Sequence, residues 1–203
     1  MTTIDVLGAA VHPGKIVCVG KNYAAHIEEM DGAVPDDMVV FMKPASAVTD
    51  TLHASLGETL HYETEICLLM RDDKVAAIGL GLDLTKRDLQ WRLKQAGLPW
   101  ERSKAFNGSA LFSPFVTAPT SLSHLVLELW VDGELRQRGG SEHMLYRPAT
   151  ILDELRTFVT LNDNDIIMTG TPAGVGPVKT GEHFEARLLN GNEEVVNVGW
   201  LAV

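Results

Sequence analysis

The run His61-Tyr62-Glu63-Thr64-Glu65, followed at once by Ile66-Cys67-Leu68-Leu69-Met70, constrains this chain more than any other stretch. Apolar residues at that density, bounded by Gly57 upstream and Arg71-Asp72-Asp73 downstream, read as a buried strand. Side chains alternate along a strand, so Glu63 and Glu65 are expected on one face and Tyr62, Thr64 and Ile66 on the other. Two carboxylates about 7 Å apart at the entry to a core strand repel each other unless a cation sits between them. A hard divalent cation with oxygen ligands meets that need. A solvated strand face would also carry two acids, so the rest of the chain has to decide.

A length of 203 residues fits one domain, residues 1–203, with residues 1–14 as a small N-terminal appendage. Hydrophobic residues at 45% and charged residues at 22% exclude a disordered chain, and 18 Gly with 9 Pro point to many turns and a β-rich fold. The net charge of -10 leaves no basic stripe for nucleic acid. Cys18 and Cys67 both lie in apolar runs and read as reduced core residues of a cytosolic protein. The start, Met1-Thr2-Thr3-Ile4-Asp5, has neither a basic n-region nor an apolar h-region, so a cytoplasmic location is expected. No apolar run approaches the ~20 residues that cross a bilayer, so no membrane partner is expected.

Along the chain, residues 16–19 read as a strand ending at Gly20. A short helix follows from Asn22, its plausible N-cap, to Met30, closed by Asp31-Gly32. His26 and Glu29 are three apart and share a face of that helix, either as a surface ion pair or as a functional pair. Met38 to Met42 is a strand delivering Lys43-Pro44, and Val75 to Leu82 is another, ending at Asp83. In the next helix Thr85 and Asp88 have the spacing of a capping box, and Leu89, Leu93 and Ala96 form an apolar stripe. Arg87, Gln90 and Lys94 make a second line on it, and Asp83, four before Arg87, could look into the same space. Leu125 to Val131 and Glu134 to Arg138 form a hairpin about Asp132-Gly133. Pro148 opens a helix with Ile151, Leu152, Leu155, Phe158 and Val159 as its apolar positions. Residues 165–168 form a strand, and residues 183–189 and 194–201 a closing hairpin.

Several chemistries are absent. Gly79-Leu80-Gly81-Leu82 lacks the third glycine of a dinucleotide fingerprint, and Gly174-Val175-Gly176 has no Walker lysine. There is no Gly-x-Ser-x-Gly elbow, no cysteine pair with zinc spacing and no His-Glu-x-x-His. His61 and Glu63 with a distant His124 or His143 would imitate an iron site, but that leaves Glu65 and Asp83 unused.

Six segments taken together are specific: Val19–His26, Phe41–Pro44, His61–Glu65, Leu82–Gln90, Gly97–Trp100 and Thr169–Gly176. In this order they resemble the fumarylacetoacetate hydrolase superfamily, most closely its small acylpyruvate hydrolases, over residues 15 to about 190. The resemblance implies an α+β fold, a β-rich mixed-sheet roll with few short helices, usually a homodimer. It implies that Glu63, Glu65 and Asp83 bind Mg²⁺ or Mn²⁺, that Lys104 is the active-site lysine, and that His26 and Glu29 activate water. Arg87, Gln90, Lys43 and Thr171 then fall at substrate contacts. Two departures stand out: the segment between Glu65 and Asp83 is short, and Asn107 replaces an acidic residue or threonine.

The expectation is a metal-dependent hydrolase that cleaves the C–C bond of an acylpyruvate to pyruvate and a carboxylic acid. His26, oriented by Glu29, would activate the water, and Lys104 would offset enolate charge. Oxaloacetate decarboxylation or keto–enol tautomerisation is the alternative on the same fold. A non-catalytic metal-binding protein is the alternative outside it, disfavoured because neither His26 nor Lys104 is needed to hold the fold.

Overall fold

The computed structural model describes residues 2–30 and 33–203. The apolar run of residues 66–70 lies in the strand Thr64–Arg71, and it is apolar throughout because both of its faces are covered. Ile66, Leu68 and Met70 join a large cluster with Leu127, Leu129, Ile151, Leu155, Phe184 and Leu188. Cys67 and Leu69 point the other way, into a cluster with Ile16, Cys18, Phe115, Ile166 and Met168. The N-terminal hairpin, Ile4–Val6 with Ala9–Val11, adds Ile4 and Val6 to that second cluster and hydrogen-bonds Phe115 through Asp5 and Leu7.

The strand is central to an eight-stranded mixed sheet. Its main path runs Val39–Lys43, Ile16–Gly20, Ile166–Met168, Thr64–Arg71, Lys74–Asp83, Ala110–Phe112, Val48–Thr49, and Val116–Thr117 pairs with Lys74–Asp83. Two pairs are parallel, Ile16–Gly20 with Ile166–Met168 and Ala110–Phe112 with Val48–Thr49. An antiparallel four-stranded sheet packs over the larger cluster, in the order Glu134–Gly140, Leu125–Val131, His183–Asn190, Glu193–Leu201. The described residues also form a three-stranded sheet, in the order Gly176–Pro177, Leu60–Tyr62, Thr85–Lys86, and three short α-helices, α1 Ala24–Glu29, α2 Arg87–Gln95 and α3 Pro148–Arg156. This is the β-rich α+β roll expected. No helix among the described residues is long and apolar enough to cross a membrane.

The short segment after Glu65 is a tight hairpin: Asp72 and Asp73 both take positive φ between Thr64–Arg71 and Lys74–Asp83. In α3, Ile151, Leu152 and Leu155 are buried, but Phe158 lies beyond the helix and is 55% exposed.

Three local expectations are corrected. Asn22 does not cap α1; Tyr23 holds that position without a side-chain hydrogen bond. Asn22 is instead buried, donating to Thr169 O at 2.7 Å and Tyr146 O at 2.9 Å and accepting from Tyr146 N. No Thr85 capping box forms either: the Glu58 carboxylate accepts from Leu89 N, while Thr85 is buried against Asp83 O. Ala96 of the expected apolar stripe is exposed. Asp31-Gly32, expected to close α1, lie outside the described residues.

Candidate active site

Glu63 does not continue the central strand. The chain changes sheets there, because Leu60–Tyr62 pairs with Thr85–Lys86 and Gly176–Pro177, whereas Thr64–Arg71 pairs in the main sheet. The continuous strand therefore ends at Glu63, yet Glu63 and Glu65 still turn to one side: oxygens of Glu63, Glu65 and Asp83 lie within 4.8 Å of one another, all buried. Asp83 arrives from the end of the neighbouring Lys74–Asp83 strand, whose register sets Glu65 opposite Gly81, and Asp83 N donates to Glu63 O.

Cations surround this cluster unevenly. Lys104 Nζ donates to Glu63 Oε2 at 2.8 Å, to Asp83 Oδ2 at 2.6 Å and to Thr85 Oγ1 at 2.6 Å. Arg87 bonds the other oxygen of Glu63 and reaches Gln90 Oε1 at 2.8 Å. Lys43 lies fully buried behind Asp83, its Nζ 2.8 Å from Oδ1. That contact is an ion pair, and Oδ1 accepts no directed hydrogen bond among the described residues. Glu65 has no cationic side chain among the described residues and accepts only Gly170 N–H, at 2.6 Å.

The proton affinities follow from this asymmetry. Burial raises Glu65, and the charges of Asp83 and Glu63 raise it further, well above the usual carboxylate range. Burial acts upward on Glu63 too, but Lys104 and Arg87 outweigh it and hold the group well below that range. Lys104 is buried, which opposes its charge, yet Asp83 and Glu63 raise its pKa, so it stays an ammonium. A buried set of three hard oxygen donors, one left without a counter-charge and one with an oxygen that accepts no directed hydrogen bond, fits a divalent cation of the Mg²⁺ or Mn²⁺ kind.

The cluster opens into a cavity of about 440 Å³ whose walls include His26, Glu63, Arg87, Gln90, Trp100 and Lys104. His26 is buried, with Nδ1 3.3 Å from Glu29 Oε2. That contact directs Nε2 away from Glu29 if Nδ1 carries the proton. Glu29 in turn accepts Gly174 N–H at 3.0 Å. One loop, residues 169–176, thus supports both a carboxylate of the cluster and the carboxylate behind the histidine. Its glycines are required: Gly170 has φ +100° and a Cβ there would lie 2.7 Å from Asn22 Cβ, while Gly174 has φ +99° with Arg136 O at 1.8 Å from such a Cβ.

Eight of the ten residues singled out in the sequence therefore meet at or beside the cavity: His26, Glu29, Glu63, Glu65, Asp83, Arg87, Gln90 and Lys104, the last from the turn that follows Glu101–Ser103. Lys43 and Thr171 are placed behind this wall, not on it. Lys43 Nζ is engaged by the carbonyls of Lys104 and Ser109, and Thr171 Oγ1 donates to Thr64 O at 2.9 Å and accepts from Gln137 Nε2 at 2.8 Å. Sequence reasoning passed over Gln137, whose Oε1 accepts Thr64 N–H at 3.0 Å where the sheets exchange. The sequence carries no signal for it, because Glu134-Leu135-Arg136-Gln137-Arg138 reads as an exposed return strand and only the fold buries Gln137. Phe41 and Trp100, in edge-to-face contact at 5.1 Å on the cavity wall, were also missed as a pair.

Comparison with known proteins agrees with this geometry. A family model described as fumarylacetoacetate (FAA) hydrolase C-terminal matches residues 15–199. The oxaloacetate tautomerase YcgM of Escherichia coli is 37% identical over 189 residues, covering 84% of this chain and 86% of that protein. The human mitochondrial oxaloacetate tautomerase FAHD1 is 39% identical over 188 residues, covering 84% and 85%. Among solved structures, the fumarylpyruvate hydrolase of Pseudomonas aeruginosa in complex with Mn²⁺ and pyruvate superposes with a TM-score of 0.87. It shares 31% identity, over 100% of this chain and 95% of that one.

Proposed function

Because the chain belongs to the fumarylacetoacetate hydrolase family, we propose that it catalyses enolisation of a small 2-oxo acid, with keto–enol interconversion of oxaloacetate as the reaction. The observation that carries this reading is the juxtaposition, across one cavity, of a buried ammonium among carboxylates and a buried histidine backed by a carboxylate. A divalent cation held by Glu63, Glu65 and Asp83 would supply Lewis acidity toward the oxygens of the 2-oxo acid.

The residues of the chain have separable tasks. Arg87 and Gln90, tied to each other, present donors on the cavity wall that orient a carboxylate. Lys104, kept protonated by Asp83 and Glu63 and with its three N–H groups given to Glu63, Asp83 and Thr85, offsets by its charge the negative charge that grows on the oxo oxygen. His26 takes the proton from C3, with Glu29 holding its ring and stabilising the imidazolium. The pair of electrons from that C–H bond forms the C2–C3 double bond, and the C2–O π pair moves onto the oxo oxygen. That oxygen takes a proton from water as His26 returns its own to water, so the change is a net proton shift from carbon to oxygen. Phe41 and Trp100 narrow the water-accessible space on one side.

Acylpyruvate hydrolysis is the second reading. The observation in its favour is the His26–Glu29 pair itself, which suits activation of a water, together with the likeness to a fumarylpyruvate hydrolase. This reading stands behind enolisation because the curated relatives at 37% and 39% identity are tautomerases. Purified protein with Mg²⁺ should be given enol-rich oxaloacetate, acetylpyruvate and fumarylpyruvate, with substrate loss and products followed separately. Rapid enol-to-keto conversion without C–C cleavage supports the first reading. Pyruvate release from an acylpyruvate, with no effect on the oxaloacetate enol, supports the second.

A further inference from the structure

The cavity has a second cationic pole that the chemistry above leaves unused. Lys94 lies one turn beyond Gln90 and two turns beyond Arg87 on the cavity side of α2, and all three line the cavity. Side chains on a helix lean toward its N-terminus, so the Lys94 stem runs back toward the space in front of Arg87. Its ammonium sits 5.4 Å from the centre of the Trp100 ring, and among the described residues no carboxylate pairs with it. Lys21 lines the same cavity and among the described residues donates to Ala33 O, at 3.2 Å.

The charge balance is therefore lopsided along the cavity. At the floor, Arg87 and Lys104 are matched by Glu63 and Asp83. At the mouth, Lys21 and Lys94 face only the exposed Asp88 among the lining residues. Partial burial, then the charges of Arg87, Lys104 and Lys21, lower the Lys94 pKa, which an anion at that place would relieve. In a chain of net charge -10, two ammonium groups at one cavity that pair with no carboxylate among the described residues are a local reversal of sign.

We infer that Lys94, assisted by Lys21, binds the distal carboxylate of the ligand, so that the cavity selects 2-oxo dicarboxylates over 2-oxo acids with uncharged tails. The 2-oxo end lies at the carboxylate cluster and the far carboxylate at the mouth. Trp100 holds the Lys94 ammonium by its ring face, an interaction that fixes direction without neutralising charge. The inference rests on the 2-oxo acid reading above, and its test separates the two.

Binding should be measured by titration calorimetry on the Mg²⁺-saturated protein, with 2-oxoglutarate and 5-methyl-2-oxohexanoate. The second replaces the tail carboxylate by an isopropyl group of nearly the same shape and no charge. The wild type is expected to prefer 2-oxoglutarate by about 10-fold to 100-fold, the range of a charge-assisted hydrogen bond. Lys94→Met, which keeps the stem over Trp100, should cut that ratio about 10-fold or more, and Lys94→Arg should restore most of it. The preference should also shrink as salt rises. Two results overturn the inference while leaving the 2-oxo acid reading intact: equal binding of both acids by the wild type, or a preference that Lys94→Met does not alter. Binding of neither acid overturns both.

Discussion

Glu63 and Glu65 are two residues apart and equally buried, yet removing their charges should have opposite effects on the metal-free protein. Glu63 carries two ion pairs, to Lys104 at 2.8 Å and to Arg87, and its side chain is 8% exposed. Glu63→Gln leaves both cations short of a partner in a dry site, and breaking such a pair costs about 3–5 kcal/mol. Glu65 has only the Gly170 N–H, which a glutamine oxygen would still accept, and it stands beside Asp83 and Glu63. Glu65→Gln removes a group whose ionisation no cation offsets and offers an amide donor to those carboxylates. It should lie within about 1 kcal/mol of the wild type, on the stabilising side. The signs extend to pH. Glu65 has its folded pKa raised, so the stability it allows is present at acid pH and is lost as pH rises through that raised value. Glu63 has its folded pKa lowered, so its contribution is present above the usual carboxylate pKa and lost as pH falls toward the depressed one. Urea unfolding in excess chelator, from pH 5 to pH 8, tests both. The wild type should gain stability on acidification from pH 8 through the Glu65 term, and Glu65→Gln should remove that part. With Mg²⁺ at about 100 times its dissociation constant the wild type should gain about 2.7 kcal/mol, and both variants much less. A Glu65→Gln protein less stable in chelator than Glu63→Gln would refute the reasoning.

Other consequences can be checked separately. Cation binding must ionise Glu65, so Mg²⁺ binding near neutral pH should release protons, and calorimetry in buffers of different ionisation enthalpy should detect them; an enthalpy independent of buffer would contradict the raised Glu65 pKa. Lys43→Met should cost about 3–5 kcal/mol in urea, because it strips the ion pair from buried Asp83 and one hydrogen bond from each of two buried carbonyls; a loss under 1 kcal/mol would mean Lys43 is not the support described. Gly174→Ala meets Arg136 O at 1.8 Å with φ at +99°, so it should cost more than about 2 kcal/mol and loosen Glu29; an unchanged midpoint would contradict that geometry. His26→Ala should depress turnover of the active substrate by at least ~100-fold while Mg²⁺ affinity stays within a few-fold.

Much of the frame was legible because it rests on local chemistry. The run Ile66–Met70 could only be a buried strand, Asp132-Gly133 forms its hairpin, and Pro148 opens α3. The cluster of acids was legible as residue types turned to one side, but the end of the continuous strand at Glu63 was not. Alternation assumes one continuous strand, and the chain changes sheets at Glu63, an event decided by pairing partners more than 20 residues away, at Thr85–Lys86 and Gly176–Pro177. Caps failed for a related reason: Asn22 and Thr85 have good capping chemistry, but buried partners elsewhere in the fold claim their side chains. The division between wall and support, with Lys43 and Thr171 behind and Arg87 in front, depends on burial depth and has no signature in spacing.

The central claim is that a cation-dependent site with a protonated Lys104 enolises a 2-oxo acid. It is tested most directly by following enol-to-keto conversion of oxaloacetate in one series: wild type with Mg²⁺, wild type in excess chelator, the chelated protein after Mg²⁺ is restored, and Lys104→Met with Mg²⁺. The account predicts rapid conversion in the first and third, and a rate near that of buffer alone in the second and fourth. Undiminished conversion in excess chelator, or by Lys104→Met, would contradict it.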